Sequence, residues 1–398
     1  MPTKVVLGLQ HGDEGKGRVV DDLTQTWADI IVRFQGGGNA GHTVYDKEGN
    51  KHVTHILPVG CLTLGKMNFI ARGCVVNVVD LIKEIKEFNV TPESLSVSGY
   101  CPIITFTHKI IDRDKYQGKI GTTAKGIGPA YSDFYARDGL LIKDLIENRE
   151  ASFNKIKLDF FNYQQLRSQE GASYKQVSKD YDDFNIWFME LLEASKAIRT
   201  YIQNIENMIS VFYETGKNIL IEGAQGSGLD VYSDNYPNVT SSSPSIGGVL
   251  NSTGLNHKQI DEVIGVIKSY KTKVGSGEFK SRCNEEDEKV LAHHGKEFGA
   301  TTGRPRMCGW LDLDEVNVAI RRNGVDHLCI VKTDVMTHVE KPMIYCNKKT
   351  SKLLKINDVS LNDEGFKNLL DIIKDETSIN VVSFTTGPKR GEIVWAKQ

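Results

Sequence analysis

The sequence predicts an α/β fold with a large, mostly parallel central sheet, helical insertions and short antiparallel hairpins. Three short apolar runs, each the length of a buried strand, lead directly into glycine-rich turns, at residues 4–7, 30–34 and 218–222. A helical pattern follows the first turn, from Val19 to Leu23. Strands that alternate with helices in this way are typical of parallel sheets, because a crossover helix returns the chain to the same direction.

The first turn, Gly8–Arg18, has the chemistry of an anion site. Its glycines expose backbone N–H groups at the positive end of a helix, and Lys16 adds a charge where phosphates would lie. It is not a Walker A loop, because Gln10 and Gly17 replace the first glycine and the hydroxyl residue of that motif. Asp13 is unusual here, since a carboxylate that faces phosphates needs a metal ion or a proton to transfer. The alternative is an ordinary strand-to-helix turn with chance glycines.

The second turn, at residues 35–43, carries His42. A single histidine is more often structural than catalytic. Here, however, two glycine-rich turns follow neighbouring predicted strands, and one offers Asp13 while the other offers His42. This arrangement favours an acid/base pair.

Two more glycine-rich segments indicate further parts of the same cleft. Gly121–Tyr131 combines hydroxyl groups, a lysine and glycines, which suits a loop around an anion, although a surface loop has a similar composition. Gly223–Gly228 is the third glycine turn at a strand end. Ligands of open α/β sheets collect at the carboxyl ends of strands, so the repetition predicts one shared cleft.

Two later segments have side chains suited to bind a carboxylate and a nucleobase. Residues 297–306 combine hydroxyl groups with Arg304 and Arg306, and guanidinium groups bind carboxylates through two parallel hydrogen bonds. A basic surface loop is the alternative. Lys332 and Asp334 follow the strand predicted at 328–331, where an aspartate accepts hydrogen bonds from the N1–H and 2-amino groups of guanine.

The 398 residues predict a single domain over residues 1–398, because no linker, repeat or change in composition interrupts them. A helical insertion without chemistry of its own is predicted at about 140–216, where the chain is polar and nearly free of glycine. Residues 103–106 predict a short strand, and residues 43–45 and 52–57 predict a hairpin.

Composition excludes several classes of protein. The formal net charge of −2 argues against a generally basic nucleic-acid binder. The seven cysteines are scattered and never form a C-x-x-C pair, which indicates reduced thiols and a cytoplasmic location. No apolar run approaches roughly 18 residues, and the chain opens directly on a strand, so neither a membrane span nor a signal peptide is expected.

The motifs Gly12–Arg18 and Gln35–Thr43 resemble those of the adenylosuccinate synthetases, the GTP-dependent ligases that join IMP to L-aspartate. Later motifs match in the same order, from about residue 3 to about residue 335, with a shorter match near the C-terminus. The resemblance implies a sheet of the P-loop-NTPase-like type, the substrates IMP, L-aspartate and GTP, and a Mg²⁺ ion held by Asp13 and Gly41.

The resemblance also implies the members of each binding site. The catalytic residues would be Asp13 and His42. The GTP site would comprise Gly12, Asp13, Glu14, Gly15, Lys16, Gly17, Arg18, Gly41, His42, Thr43, Arg306, Lys332, Thr333, Asp334, Thr385, Thr386 and Gly387. The IMP site would comprise Asp13, Lys16, Asn39, Ala40, Gly41, His42, Thr123, Arg137, Gln225, Thr240 and Arg304. The aspartate site would comprise Ala300, Thr301, Thr302, Gly303, Arg304, Pro305 and Arg306.

In this family an arginine reaches across a dimer interface to the IMP phosphate. The matching position in this sequence is Arg137, so the resemblance implies a homodimer.

The sequence departs from the family pattern at three places. Residues 273–280 lack the usual Pro-Phe-Pro-Thr, Pro305 interrupts an arginine-rich stretch, and the segment after Asp334 is shorter than in bacterial members.

Three alternative functions remain open. A related phage-type ligase would act on dGMP, although the 2-amino group of guanine would crowd a carboxylate placed like Asp13. A GTP-binding regulatory switch would bind GTP but would need no dicarboxylate loop. A homologue without activity, kept as an interaction protein, would not need Asp13 and His42.

Overall fold

A ten-stranded sheet crosses the molecule, and it is surrounded by helices and two smaller sheets. The computed structural model describes residues 3–116, 122–273, 278–298 and 306–396. Within these ranges the strands are β1 (Thr3–Gly8), β2 (Ile30–Arg33), β3 (His42–Tyr45), β4 (Lys51–Thr54), β5 (Met67–Ile70), β6 (Leu95–Ser98), β7 (Ile202–Gln203), β8 (Ile219–Glu222), β9 (Glu262–Lys268), β10 (Tyr270–Lys273), β11 (Met307–Asp312), β12 (His327–Val331), β13 (Met343–Cys346), β14 (Lys349–Lys352), β15 (Val381–Thr385) and β16 (Ile393–Trp395).

The helices begin and end as follows in the same part of the chain: α1 (Lys16–Thr26), α2 (Val78–Glu87), α3 (Phe106–Tyr116), α4 (Ile127–Ala136), α5 (Asp144–Glu147), α6 (Arg149–Gln169), α7 (Tyr174–Ala197), α8 (Ile205–Glu214), α9 (Ile246–Thr253), α10 (Glu285–Gly295), α11 (Leu313–Asn323), α12 (Thr333–Met336) and α13 (Glu364–Thr377). Short 3-10 turns lie at Val59–Leu62, Ile198–Tyr201, Ser227–Leu229 and His257–Gln259. Across these described residues, no helix is both long enough and apolar enough to cross a membrane.

The strand order of the main sheet is β16-β15-β12-β9-β1-β8-β2-β5-β6-β7. Its neighbouring strands are parallel, except for the antiparallel edge pair β15 and β16. Strands β2 and β8 are buried at every position, because helices cover both faces of the sheet. The predicted α/β fold with a mostly parallel sheet is therefore confirmed.

Two smaller sheets supply antiparallel pairs. The predicted hairpin is confirmed as β3 and β4, which pair antiparallel from His42 opposite Thr54 to Tyr45 opposite Lys51. A second sheet has the order β10-β11-β13-β14, in which only the middle pair, β11 and β13, is parallel. This second sheet was not predicted from the sequence.

The region predicted as a helical insertion, at about 140–216, contains α5, α6, α7 and α8. Its aromatic side chains form part of the core, and the rings of Phe160 and Phe184 stack with their centroids 3.9 Å apart. The region is not entirely helical, since β7 lies within it and pairs with β6 at the edge of the main sheet. The single-domain assignment over residues 1–398 stays a prediction.

The strand predicted at residues 103–106 is wrong. Ile103 makes only an isolated bridge with Val76, and Phe106 already begins helix α3. Thr105 and His108 explain the difference, because the Thr105 N–H donates to His108 Nδ1 while the His108 N–H donates to Thr105 Oγ1. This reciprocal pair starts a helix as a capping box does, with histidine in place of the usual glutamate.

The parallel order of the strands determines where the glycine turns lie. Strands β12, β9, β1, β8 and β2 are consecutive in the sheet, so their carboxyl ends meet at one edge. The three glycine turns follow β1, β2 and β8, and Lys332 follows β12. Segments that are far apart in the chain therefore meet at this edge.

Candidate active site

One cleft of about 1140 Å³ opens at the carboxyl edge of the main sheet. Most residues predicted for the GTP and IMP sites line it. They are Gly12, Asp13, Gly15, Lys16, Gly17, Arg18, Asn39, Ala40, Gly41, His42, Thr43, Thr123, Gln225, Thr240, Arg306, Lys332, Asp334, Thr385 and Gly387. A cleft of this size has room for more than one nucleotide-sized ligand.

The turn after β1 is held from beneath by Glu14. Its buried carboxylate accepts hydrogen bonds from the N–H groups of Gln10 and Gly12 and from the Lys16 ammonium, the last at 2.5 Å. A β-carbon at Gly226 would collide with this carboxylate and with the Gln10 carbonyl, so the third glycine turn must be glycine at that point. Glu14 thus shapes the turn, and its side chain does not line the cleft.

His42 is paired with Glu222, which ends strand β8. The His42 Nδ1 atom lies 2.5 Å from Glu222 Oε1, and the same carboxylate accepts the Val59 N–H at 2.9 Å and the Arg33 guanidinium at 3.4 Å. Burial lowers the pKa of His42, so its imidazole is neutral at pH 7. Burial would raise the pKa of Glu222, but the hydrogen bond from His42 and the charge of Arg33 outweigh it and lower that pKa. A neutral His42 therefore donates Nδ1–H to a carboxylate, which leaves Nε2 as its other hydrogen-bonding atom.

Asp13 stands at the mouth of the first turn in a left-handed conformation, with φ 58°. Such a backbone costs energy for a residue other than glycine and is concentrated at functional sites. Its Oδ2 atom lies 2.9 Å from Nε of Arg306, and Arg306 Nη1 lies 2.7 Å from the buried carboxylate of Glu297. Asp13 is the more exposed partner, so its carboxylate is accessible from the cleft.

The Lys332–Asp334 segment lies at the end of β12. Lys332 has φ 56°, its N–H donates to Thr385 Oγ1 at 2.9 Å, and its ammonium donates to Glu297 Oε1 and to the Gly295 carbonyl, each at 2.7 Å. Burial raises the pKa of Asp334, which lines the cleft beside Lys332. The side chain of Thr333 points the other way and donates to the Thr385 carbonyl, so it joins β12 to β15.

Gln225 and Asn39 come from the third and second glycine turns and meet in the cleft, where Gln225 Nε2 lies 3.5 Å from Asn39 Oδ1. Gln225 Oε1 is buried and has no hydrogen-bond partner among the described residues. Thr123 lies in a turn that is anchored by Asp112, whose carboxylate accepts hydrogen bonds from the Thr122 hydroxyl and from the Gly126 N–H at 2.8 Å.

Some predicted site residues do not line the cleft. Glu14, Thr333 and Thr386 lie outside its lining, and Arg137 is an exposed residue that ends helix α4 with φ 64°. The aspartate-site residues Ala300, Thr301, Thr302, Gly303, Arg304 and Pro305 lie outside the described residues. Arg306 is the member of that site that the structure describes.

Three carboxylates that organise the site were not predicted from the sequence: Glu222, Glu297 and Asp112. Each is buried and accepts hydrogen bonds from residues of the cleft wall. Glu222 gave a signal, since a charged residue at the end of an otherwise apolar strand is unusual inside a protein. Its partner His42 is 180 residues away in the chain, so the pairing itself had no local signature.

The family model and the curated relatives that this chain resembles belong to the same family. The adenylosuccinate synthetase family model matches residues 5–350. The adenylosuccinate synthetase of Halothermothrix orenii is 40% identical and covers 85% of this chain and 78% of its own. That of Thermodesulfovibrio yellowstonii is 34% identical and covers 99% of both chains.

Two solved structures are similar to the fold. Fully ligated adenylosuccinate synthetase from Plasmodium falciparum superposes with a TM-score of 0.87 at 29% identity, and it covers 99% of both chains. The succinoaminodeoxyadenylate synthetase of cyanophage S-2L, bound to dGMP and to dATP as an energy donor, has a TM-score of 0.65 at 17% identity and covers 100% of this chain and 96% of its own. At that identity the phage enzyme shows a shared fold alone. The family model and the curated relatives show that this chain belongs to the adenylosuccinate synthetase family.

Proposed function

We propose that this protein condenses IMP with L-aspartate at the expense of GTP and forms adenylosuccinate. The observation that carries the proposal is the composition of the cleft. A candidate base, Asp13, a buried His42–Glu222 pair and a candidate guanine reader, Asp334, line or adjoin one cavity. A regulatory GTP switch would have no use for the first two, since it transfers no proton to or from a second substrate.

The chemical problem is the 6-oxygen of hypoxanthine, which is a poor leaving group. In the proposed reaction, Asp13 removes the N1 proton of IMP, and the charge that develops on O6 lets this oxygen attack the γ-phosphorus of GTP. The bond from that phosphorus to GDP breaks, and 6-phosphoryl-IMP forms. The amine of L-aspartate then attacks C6, and inorganic phosphate leaves with the bonding electrons of the C6–O6 bond.

The hydrogen-bond donors and positive charges of the cleft would lie where negative charge develops during phosphoryl transfer. After taking up a proton at Nε2 in the presence of the anionic phosphates, His42 would donate from that atom to the oxygens of the transferred phosphoryl group, while its Nδ1–H stays bound to Glu222. Lys16, at the start of helix α1, would hold the β- and γ-phosphates together with the N–H groups of the first turn. Because Glu222 orients the His42 ring before the ligands arrive, this group needs little reorganisation.

The chemistry of the donor set fits Mg²⁺. Asp13 offers a carboxylate and Gly41 a backbone carbonyl, and both residues line the cleft. The described residues contain no group of three or more His, Cys, Asp or Glu placed to hold a metal ion. Phosphate and water oxygens would therefore complete the coordination shell, as is usual where Mg²⁺ binds with a nucleotide. When bound, the ion would offset negative charge on the phosphates.

Phosphate release tests this proposal directly. Release from GTP should require both IMP and L-aspartate, because the oxyanion and the amine come from different substrates. ATP should be used at least about tenfold less efficiently than GTP, because adenine leaves the half-buried Asp334 carboxylate without the N1–H and 2-amino partners that guanine offers. Equal turnover with dGMP in place of IMP would favour the phage-type alternative, and aspartate-independent release would favour a GTP switch.

A second part of the proposal is a homodimer in which Arg137 acts on the site of the partner. The exposed position of Arg137 outside its own cleft supports this arrangement. Arg137→Leu and Asp13→Ala should each be inactive alone, but a mixture of the two should recover about a quarter of wild-type activity. Random exchange makes half the dimers mixed, and each mixed dimer contains one intact site. No recovery after subunit exchange, verified by native mass spectrometry, would mean that one chain builds the whole site.

We also propose a cytoplasmic location. All seven cysteines are free thiols, and six of them are buried, which suits a reducing compartment.

A further inference from the structure

Glu297 is a fully buried carboxylate that lies behind the cleft wall. Its Oε1 atom accepts hydrogen bonds from the Lys332 ammonium at 2.7 Å, from the Lys268 ammonium at 3.1 Å and from the Tyr270 hydroxyl. Its Oε2 atom accepts one from Nη1 of Arg306 at 2.7 Å. Four side chains from three segments of the chain therefore converge on one carboxylate.

The charges explain why Glu297 stays ionised in this position. Burial alone would raise the pKa of Glu297, but the positive charges of Lys268, Lys332 and Arg306 outweigh it and hold that pKa well below its usual range. Without this carboxylate, three cations would face one another in a buried place. Their mutual repulsion would move those that are free to turn towards solvent.

Two of the three cations face the cleft, and they serve different parts of it. Lys332 lies beside Asp334 in the candidate guanine site, while Arg306 reaches Asp13 through Nε at 2.9 Å. Lys268 is buried and lies outside the cleft lining. Glu297 thus connects the guanine end of the cleft with the residue that contacts the candidate base.

We propose that Glu297 is a positioning residue that holds Lys332 against the guanine and Arg306 against the dicarboxylate substrate. The inference rests on the proposed function and extends it to a residue that touches no substrate. Because Nη1 is tied to Glu297, Arg306 keeps Nε and Nη2 for Asp13 or for a substrate carboxylate. A long side chain held at one end in this way loses less entropy when it binds an anion.

Glu297→Gln tests the proposal, with Glu84→Gln as the matched control. Glu84 is also buried, but it accepts the N–H groups of His55 and Ile56 and does not line the cleft. For Glu297→Gln we expect the KM for GTP and for L-aspartate to rise about tenfold each, with little change in the KM for IMP. Fluorescent GDP should bind about tenfold more weakly. Glu84→Gln should leave all three KM values near those of the wild type.

A Lys332→Met background separates positioning from general damage. In that background Glu297→Gln should weaken GDP binding by less than about twofold, because the side chain through which it acts is already gone. Equal weakening in both backgrounds, or unchanged KM values in a folded Glu297→Gln protein, would overturn the inference. If wild-type protein failed to bind GDP, the proposed function would be wrong instead.

Glu297→Asp provides a second test if Glu297→Gln does not fold. Aspartate keeps the charge but is one methylene shorter, so it cannot contact both Lys332 and Arg306 as glutamate does. The variant should fold and show a raised KM for at least one of GTP and L-aspartate. Wild-type KM values for both substrates would overturn the inference.

Discussion

Replacing Asp13 by asparagine is expected to lower kcat by about 10³-fold or more, while GTP and IMP still bind. The amide has the shape of the carboxylate but cannot accept the N1 proton of IMP. It is also a weaker ligand for Mg²⁺ and no longer pairs electrostatically with Arg306, which now lies 2.9 Å from Asp13. Steady-state kinetics with saturating substrates measures kcat, and direct binding of fluorescent GDP measures whether the nucleotide still binds.

Asp46→Asn is a suitable control for that experiment. Asp46 lies at the end of the β3–β4 hairpin, bonds to Asn50 and His52, and does not line the cleft. Its replacement should change kcat by less than about twofold, because it touches neither reactant. An Asp13→Asn enzyme with more than a tenth of wild-type kcat would show that another group removes the proton.

Glu222→Gln is expected to lower kcat by about 100-fold and to change its pH dependence. The Glu222 carboxylate favours the protonated form of His42, whereas burial disfavours it. Removal of that charge therefore lowers the pKa of His42 further. If protonated His42 is the donor in the ternary complex, kcat falls as pH rises through this pKa, and the fall should begin at a lower pH in Glu222→Gln. The measurement is kcat against pH with all substrates saturating.

Two further variants show whether Glu222 acts through His42. His42→Asn should lower kcat by about 10²-fold or more with little change in nucleotide binding, and adding Glu222→Gln to it should cost little more. The control is Glu84→Gln, which removes another buried carboxylate that does not line the cleft. Additive losses from His42→Asn and Glu222→Gln would mean that Glu222 does not act through His42, and that it supports the fold or another group.

The sequence predicted the parts of the site that depend on local patterns. Each glycine turn follows an apolar run, and strand, turn and helix signals extend over only a few residues. For that reason β1, β2, β8 and β12 were predicted close to their observed bounds. The failure at 103–106 has the same origin, since Ile103 and Ile104 have strand propensity while the start of helix α3 depends on one Thr105–His108 pair.

The sequence by itself determined an α/β protein with anion-binding turns at its strand ends, because backbone N–H groups, glycine conformations and helix starts are set by neighbouring residues. Only the tertiary structure decided that Glu222 serves His42 and that Glu297 gathers Lys332 and Arg306. A buried carboxylate stays charged only where cations or N–H groups surround it, and here these partners come from distant segments. Their meeting depends on the order of strands in the sheet, which no short stretch of sequence contains.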